Sequence, residues 1–189
     1  STRRYRRDLG RPPVRSETVP PHIRIETLAD RGQRAADVAR GIAGFLSEAR
    51  ASLDLALYDF RVATDAGALV TAALLAAAQR GVTVRILYNV DHPGPTPVPP
   101  PPEETPDAIE ALPVPTRGVA GIPDLMHHKF VVRDGEAVWA GSTNWTDDSW
   151  SRQENVIVTV ESPAIAHAYA LAFGQLWESG AGEGTRVVD

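Results

Sequence analysis

Hydrophobic positions recur along this chain with two periods, and the switches between them outline a fold. Between Asp30 and Arg50, residues Val38, Ile42, Phe45, Leu46 and Ala49 fall at i, i+4, i+7, i+8 and i+11, one face of a helix. Ser52-Leu-Asp-Leu-Ala-Leu-Tyr58 then alternates with period two, which predicts a strand. Ile23, Ile25 and Leu28 alternate more weakly and predict a short strand over residues 23–28. Asp65 is placed to cap a helix from Ala66 to Arg80, and Gly81 stands where a glycine ends a helix. Val82 to Tyr88 predicts the next strand. Helix followed by strand across one glycine is the mark of an α/β fold.

The second half repeats this logic after an interruption. Ten of the 16 prolines lie between Pro93 and Pro115, so residues 91–123 are expected to form a proline-rich loop rather than a helix or a central strand. Such a loop would shape a site rim, form a hinge or offer a motif to a proline-binding partner. Met126 to Arg133 then predicts a strand, Asp134-Gly135 a tight turn, and Ala137 to Ala140 the return strand of a hairpin. Glu154 to Val160 predicts a further strand. Ser162-Pro163 opens a helix whose face is Ile165, Tyr169, Ala172, Phe173, Leu176 and Trp177, with Gly180 past its end. The expected fold class is α/β, a mixed β-sheet flanked by helices. Residues 1–21 are expected to be an Arg/Pro-rich arm, and residues 22–189 a single domain.

Composition narrows the class. The chain has 189 residues, 43% hydrophobic and 23% charged, which excludes collagen, coiled coil and wholesale disorder. There is no cysteine, hence no disulfide, thiol nucleophile or cysteine-bound zinc. The longest nearly apolar run, Gly67 to Ala78, is too short to cross a bilayer, so no stable membrane span is expected. A soluble protein follows, and the compartment stays open between a bacterial cytoplasm and a secreted location.

Charge is unevenly placed. Residues 1–15 hold six arginines and one acid, Asp8, a net +5, while the remainder carries 13 basic and 23 acidic residues. A basic arm on an acidic body can contact phosphates or be a solvated terminus. The chain has one lysine, Lys129, among 18 arginines. A compact ammonium differs from a planar guanidinium, so this lone lysine invites attention.

Candidate chemistry gathers around that lysine. On a strand, His127 and Lys129 project to one side, and His128 and Phe130 to the other. The hairpin returns Gly141-Ser142-Thr143-Asn144 beside them. Imidazole, ammonium, hydroxyl and amide would converge on one small volume with no carboxylate among them, a set suited to a tetrahedral oxyanion such as a phosphodiester.

At this spacing, His127-x-Lys129-x4-Asp134-x6-Gly141-Ser142-x-Asn144 resembles the signature of the phospholipase D superfamily. The resemblance covers roughly residues 35–178 and implies a phospholipase D-like fold and a metal-independent phosphodiesterase needing no cofactor. It implies His127 as the nucleophile of a covalent phosphohistidine, attacking as neutral imidazole. Glu154 would orient that imidazole. Lys129, Ser142 and Asn144 would hold the non-bridging oxygens of the phosphate. Asp134 belongs to the signature but sits at the hairpin turn, where it is expected to shape the turn.

The family pattern needs two signatures, and only one is present: His22, His92 and His167 lack a lysine two residues on. The chain is therefore expected to homodimerise, as single-signature endonucleases of the superfamily do, or to be the first half of a two-signature protein. A nuclease acting on nucleic acid is the leading reading. A phospholipase D or transphosphatidylase half-domain acting on phospholipid is the alternative, and a non-catalytic phosphate-binding module the third. Blander roles compete for single residues. His128 reads as packing. Trp145 and Trp150 read as packing before they read as stacking platforms. Asp59 reads as a cap or turn residue. A His127–His128 metal site lacks a third ligand at sensible spacing.

Overall fold

The computed structural model describes residues 20–90, 104–120 and 125–180. The arginines of residues 1–15, the Pro93–Pro102 tract, His92 and the terminal segment from residue 181 lie outside the described residues. The elements in chain order are β1 (His22–Leu28), α1 (Ala35–Ser47), β2 (Ser52–Leu57), β3 (Phe60–Arg61), α2 (Asp65–Gln79), β4 (Thr83–Val90), α3 (Glu104–Glu110), β5 (Thr116–Ala120), β6 (Lys129–Arg133), β7 (Ala137–Gly141), β8 (Trp145–Thr146), α4 (Asp147–Ser151), β9 (Asn155–Glu161) and α5 (Pro163–Ser179).

Seven strands form one mixed sheet in the order β1-β9-β7-β6-β2-β4-β5, and β3 pairs with β8 beside it. β2, β4 and β5 run parallel, while β6 and β9 run antiparallel to their neighbours. This puts the ends of β2, β4 and β7 and the starts of β6 and β9 along one edge of the sheet.

The sheet is covered on both faces. On one side α1 and α2 pack Val38, Ile42, Phe45, Leu46, Val70 and Leu74 against Leu53, Leu55 and Val131. On the other side α5 packs Ala166, Phe173 and Leu176 against Ala56, Leu87, Phe130 and Val138. A fully buried Phe such as Phe173 is worth about 1.5–3 kcal/mol by its burial alone. Arg85 reinforces this contact: it is bidentate to Asp54, at 2.8 and 2.9 Å, and its guanidinium lies over Phe173 and Trp177. Double coverage explains why β2 is buried from Leu53 to Leu57 although its pattern alternates.

Several expectations need correction. The first helix is shorter than Asp30–Arg50, because the Gln33 side chain bonds Ala29 and the Trp150 carbonyl and holds residues 29–33 in a turn. Thr64, not Asp65, caps α2; its hydroxyl accepts the Gly67 N–H at 3.0 Å. The 91–123 segment is not all loop. It supplies α3, with Pro106 in the first turn where its missing N–H costs nothing, and β5 at a sheet edge. The hairpin strand begins at Lys129 rather than Met126, so His127 precedes it.

Candidate active site

The site sits where the sheet edge is most crowded with strand ends. Leu57 pairs with Lys129 across β2 and β6, and the Tyr58 N–H donates to the His128 carbonyl at 3.0 Å just past that pair. Phe130 pairs with Ala140, so continuing the register sets the Gly141–Asn144 loop opposite residues 127–129. Gly141 is required by this crowding: a Cβ there would lie 2.2 Å from the Val156 carbonyl oxygen of β9.

His127 is exposed, whereas Lys129 is only 6% exposed. The Lys129 Nζ donates to the His127 carbonyl at 2.8 Å and lies 4.8 Å from the centre of the Tyr58 ring. That ring also meets the His127 imidazole edge-on, with centroids 4.5 Å apart and planes at 70°. Partial desolvation and the Lys129 charge hold the His127 pKa below its usual value, which favours neutral imidazole. Burial lowers Lys129 to about 8, and the Asp59 carboxylate opposes that shift.

The Gly-Ser loop has its own bonds. Ser142 is exposed; its hydroxyl donates to Asn155 Oδ1 at 2.8 Å and accepts the Val156 N–H at 3.0 Å. Asn144 Oδ1 is shielded from solvent and has no hydrogen-bond partner. Buried amides are ordinarily paired, so this unpartnered oxygen is an exception. An amide flip would present Nδ2, a donor, in the same place. Thr143 is buried and bonds the Asn144 and Ser149 carbonyls, which fixes the turn.

The two carboxylates named with the signature fall in different places, Asp134 at the turn expected of it and Glu154 beside the Gly-Ser loop. Asp134 lies at the far end of β6, where its carboxylate accepts the N–H groups of Arg50, Ala51 and Ser52. Glu154 is exposed just before β9 and lines a recess with Ser142, Asn155 and Val156, and among the described residues no hydrogen bond joins it to His127.

The remaining candidates resolve by burial. Trp145 and Trp150 are fully buried and cannot stack on a ligand. His128 packs on Phe130, with ring centroids 5.6 Å apart. Asp59 is more than a turn residue: it is buried, bidentate to Arg61 at 3.0 Å, and accepts from the Thr105 hydroxyl of α3. No group of three or more His, Asp or Glu that could hold a metal ion occurs among the described residues.

Sequence reasoning placed Tyr58 near the site edge without a role and missed Asn89. Asn89 ends β4 fully buried, and its Oδ1 accepts the Met126 N–H at 3.3 Å, which anchors the residue before His127. A lone amide at the end of an apolar strand was the available signal.

Comparison with known proteins supplies the rest. Residues 42–177 match the family described as cardiolipin synthase, PLD-like domain. The chain is 33% identical over 138 residues to the mitochondrial cardiolipin hydrolase of Xenopus laevis, a match covering 69% of this chain and 56% of that protein. It spans about half the length of the curated relatives it matches. Among solved structures, a phospholipase D family member, Nuc from Salmonella typhimurium, superposes with a TM-score of 0.65 at 21% identity over 84% of this chain and 95% of that one. NucT from Helicobacter pylori does so with a TM-score of 0.65 at 16% identity, over 85% of this chain and 98% of that one.

Proposed function

This chain belongs to the phospholipase D superfamily, and on that premise we propose that it is a metal-independent phosphodiesterase with His127 as nucleophile, acting on nucleic acid as a homodimer. The observation that carries this reading is the pairing of an exposed imidazole, biased towards its neutral form, with a buried ammonium two residues away. In the first step a ring nitrogen of His127 bonds to phosphorus as the bond from phosphorus to the leaving oxygen breaks. That oxygen takes a proton from the protonated His127 of a second copy. Water then attacks phosphorus and returns a proton to the second copy's imidazole as the phosphorus–nitrogen bond breaks. Lys129, Ser142 and Asn144 hold the non-bridging oxygens, and loss of one such donor costs about 10²–10³ in rate. Glu154, the orienter that the family resemblance implies, makes no hydrogen bond to His127 among the described residues and lies beside Ser142.

An exposed apolar strip supports association. Ile23 and Ile25 of β1 are 51% and 65% exposed, and they pair across the sheet with Val160 and Val158. Val156, 37% exposed, continues the strip to the residue beside Asn155. A contiguous apolar surface of this kind marks an interface. The single signature and the arginine-rich arm favour nucleic acid.

A second reading, phospholipid as the diester, rests on the identity with cardiolipin hydrolase and on an apolar groove lined by Val138, Ala140, Val158, Val160, Ile165 and Tyr169 that begins at Gly141. One experiment tests both. Protein treated with EDTA is incubated with a labelled oligonucleotide and, separately, with cardiolipin vesicles, beside His127→Ala. Cleavage of the oligonucleotide alone, lost in His127→Ala, supports the nuclease; cleavage of lipid alone selects the second reading. Strict dependence on a metal refutes both.

A further inference from the structure

Among the described residues no carboxylate bonds the imidazole of His127, yet its ring is packed on one side. What packs it is Tyr58. β2 stops at Leu57, so Tyr58 leaves the strand alternation and its half-buried ring lies against both His127 and Lys129. We propose that Tyr58 is a positioning residue for the reaction, setting the plane of the His127 imidazole by edge-on packing while holding the Lys129 ammonium against its π face. This rests on reading His127 and Lys129 as the reacting pair.

Three observations converge on it. First, the phenolic oxygen makes no hydrogen bond among the described residues, so the ring rather than the hydroxyl makes the contacts. Second, the Tyr58 backbone is locked, because its N–H donates to the His128 carbonyl between the two residues it orients. Third, the ammonium is nearly dry. A cation over an aromatic face is held more strongly when it is desolvated. The charged and titratable groups around Lys129 are His127, His128, Tyr58 and Asp59. Asp59 is already engaged by Arg61 and Thr105, which leaves the Tyr58 face as the ammonium's nearest support besides the His127 carbonyl.

The single lysine makes the test direct, since protein with ¹³C-labelled lysine gives one ε-methylene signal. Wild type and Tyr58→Phe should both show that signal shifted upfield by the ring, titrating near about 8. In Tyr58→Leu, and in Tyr58→Met should the leucine protein not fold, the upfield shift should vanish and the midpoint should fall by about half a unit or more. With bis(p-nitrophenyl) phosphate, kcat should fall about 10–100-fold in the aliphatic variants while KM and the Tyr58→Phe protein stay within about twofold. An aliphatic variant with wild-type kcat and an unmoved lysine signal overturns the proposal. So does a Tyr58→Phe protein as impaired as Tyr58→Leu. If wild type and His127→Ala both leave the diester intact, the phosphodiesterase reading fails. The lysine signal then decides alone: loss of the shift in the aliphatic variants upholds the placement by Tyr58, and its persistence refutes it.

Discussion

Lys129 and Asp134 stand at opposite ends of one strand, about 16 Å apart for five residues of extended chain. The signature that joins them in sequence therefore measures a strand, with an ammonium at the site and a carboxylate at the turn. Asp134 and Gly135 both have positive φ, 56° and 65°, the conformation of a tight hairpin turn. The carboxylate clasps the backbone entering β2, so the hairpin and the strand beside it are fixed together.

Asp134→Ala should cost about 1–3 kcal/mol of stability, by leaving backbone N–H groups without their acceptor, and leave kcat within about twofold. Urea unfolding and diester hydrolysis measured on one preparation check the pair. Burial opposes ionisation of Asp134, but the donors Ser52, Ala51 and Arg50 outweigh it, so its pKa is lowered. Its contribution is complete above the unfolded value and is lost as pH falls through the folded one. The stability gap between wild type and Asp134→Ala should therefore close in acid.

Lys129→Met should inactivate the enzyme and stabilise the fold. The folded pKa, about 8, lies below the ordinary 10.5, so the folded state binds the lysine proton less tightly than the unfolded chain does. Stability of the wild type should rise as pH passes from about 8 to 10.5, and this rise should be absent in the methionine variant. At neutral pH the gain from removing the buried charge should be about 1–3 kcal/mol. A methionine variant that melts below wild type at pH 7 contradicts this.

The rate should follow a bell-shaped pH profile. On the acid side activity falls as both copies of His127 take protons, at a pH below the ordinary imidazole value because desolvation and Lys129 oppose that charge. On the alkaline side it falls as the second copy loses its proton, and again near about 8 as Lys129 loses its own. Lys129→Arg should abolish that last fall and lower kcat about 10²–10³-fold, since a guanidinium cannot replace the compact charge. A flat profile from about pH 5 to 9 would contradict the two-histidine scheme.

Association should be visible as mass. Sedimentation should give about twice 20.3 kDa, and Ile25→Glu should return the protein to 20.3 kDa with loss of activity. A fully active Ile25→Glu monomer would remove the need for a second copy.

Much of this was open to reading along the chain. The faces of α1 and α5, the hairpin turn and the glycine ends of α2 and α5 follow from local spacing, because periodicity records which side of an element meets the core. The extent of elements was less legible. Gln33 shortens α1 through a bond to Trp150, 117 residues away, and no window around residue 33 contains that partner. The proline-rich segment hid α3 and β5, since proline counts against both elements except in a first turn and at a sheet edge.

The sequence by itself determined the α/β class, the family signature and the hairpin that Lys129 opens, because these depend on residues close in the chain. Only the tertiary structure decided that Asn89 anchors the residue before His127, that the proline-rich stretch supplies a helix and an edge strand, and that the ring of Tyr58 lies against the imidazole and the ammonium. Those relations depend on strand register and on which face each helix covers, quantities set by packing across the whole sheet rather than by any stretch of it.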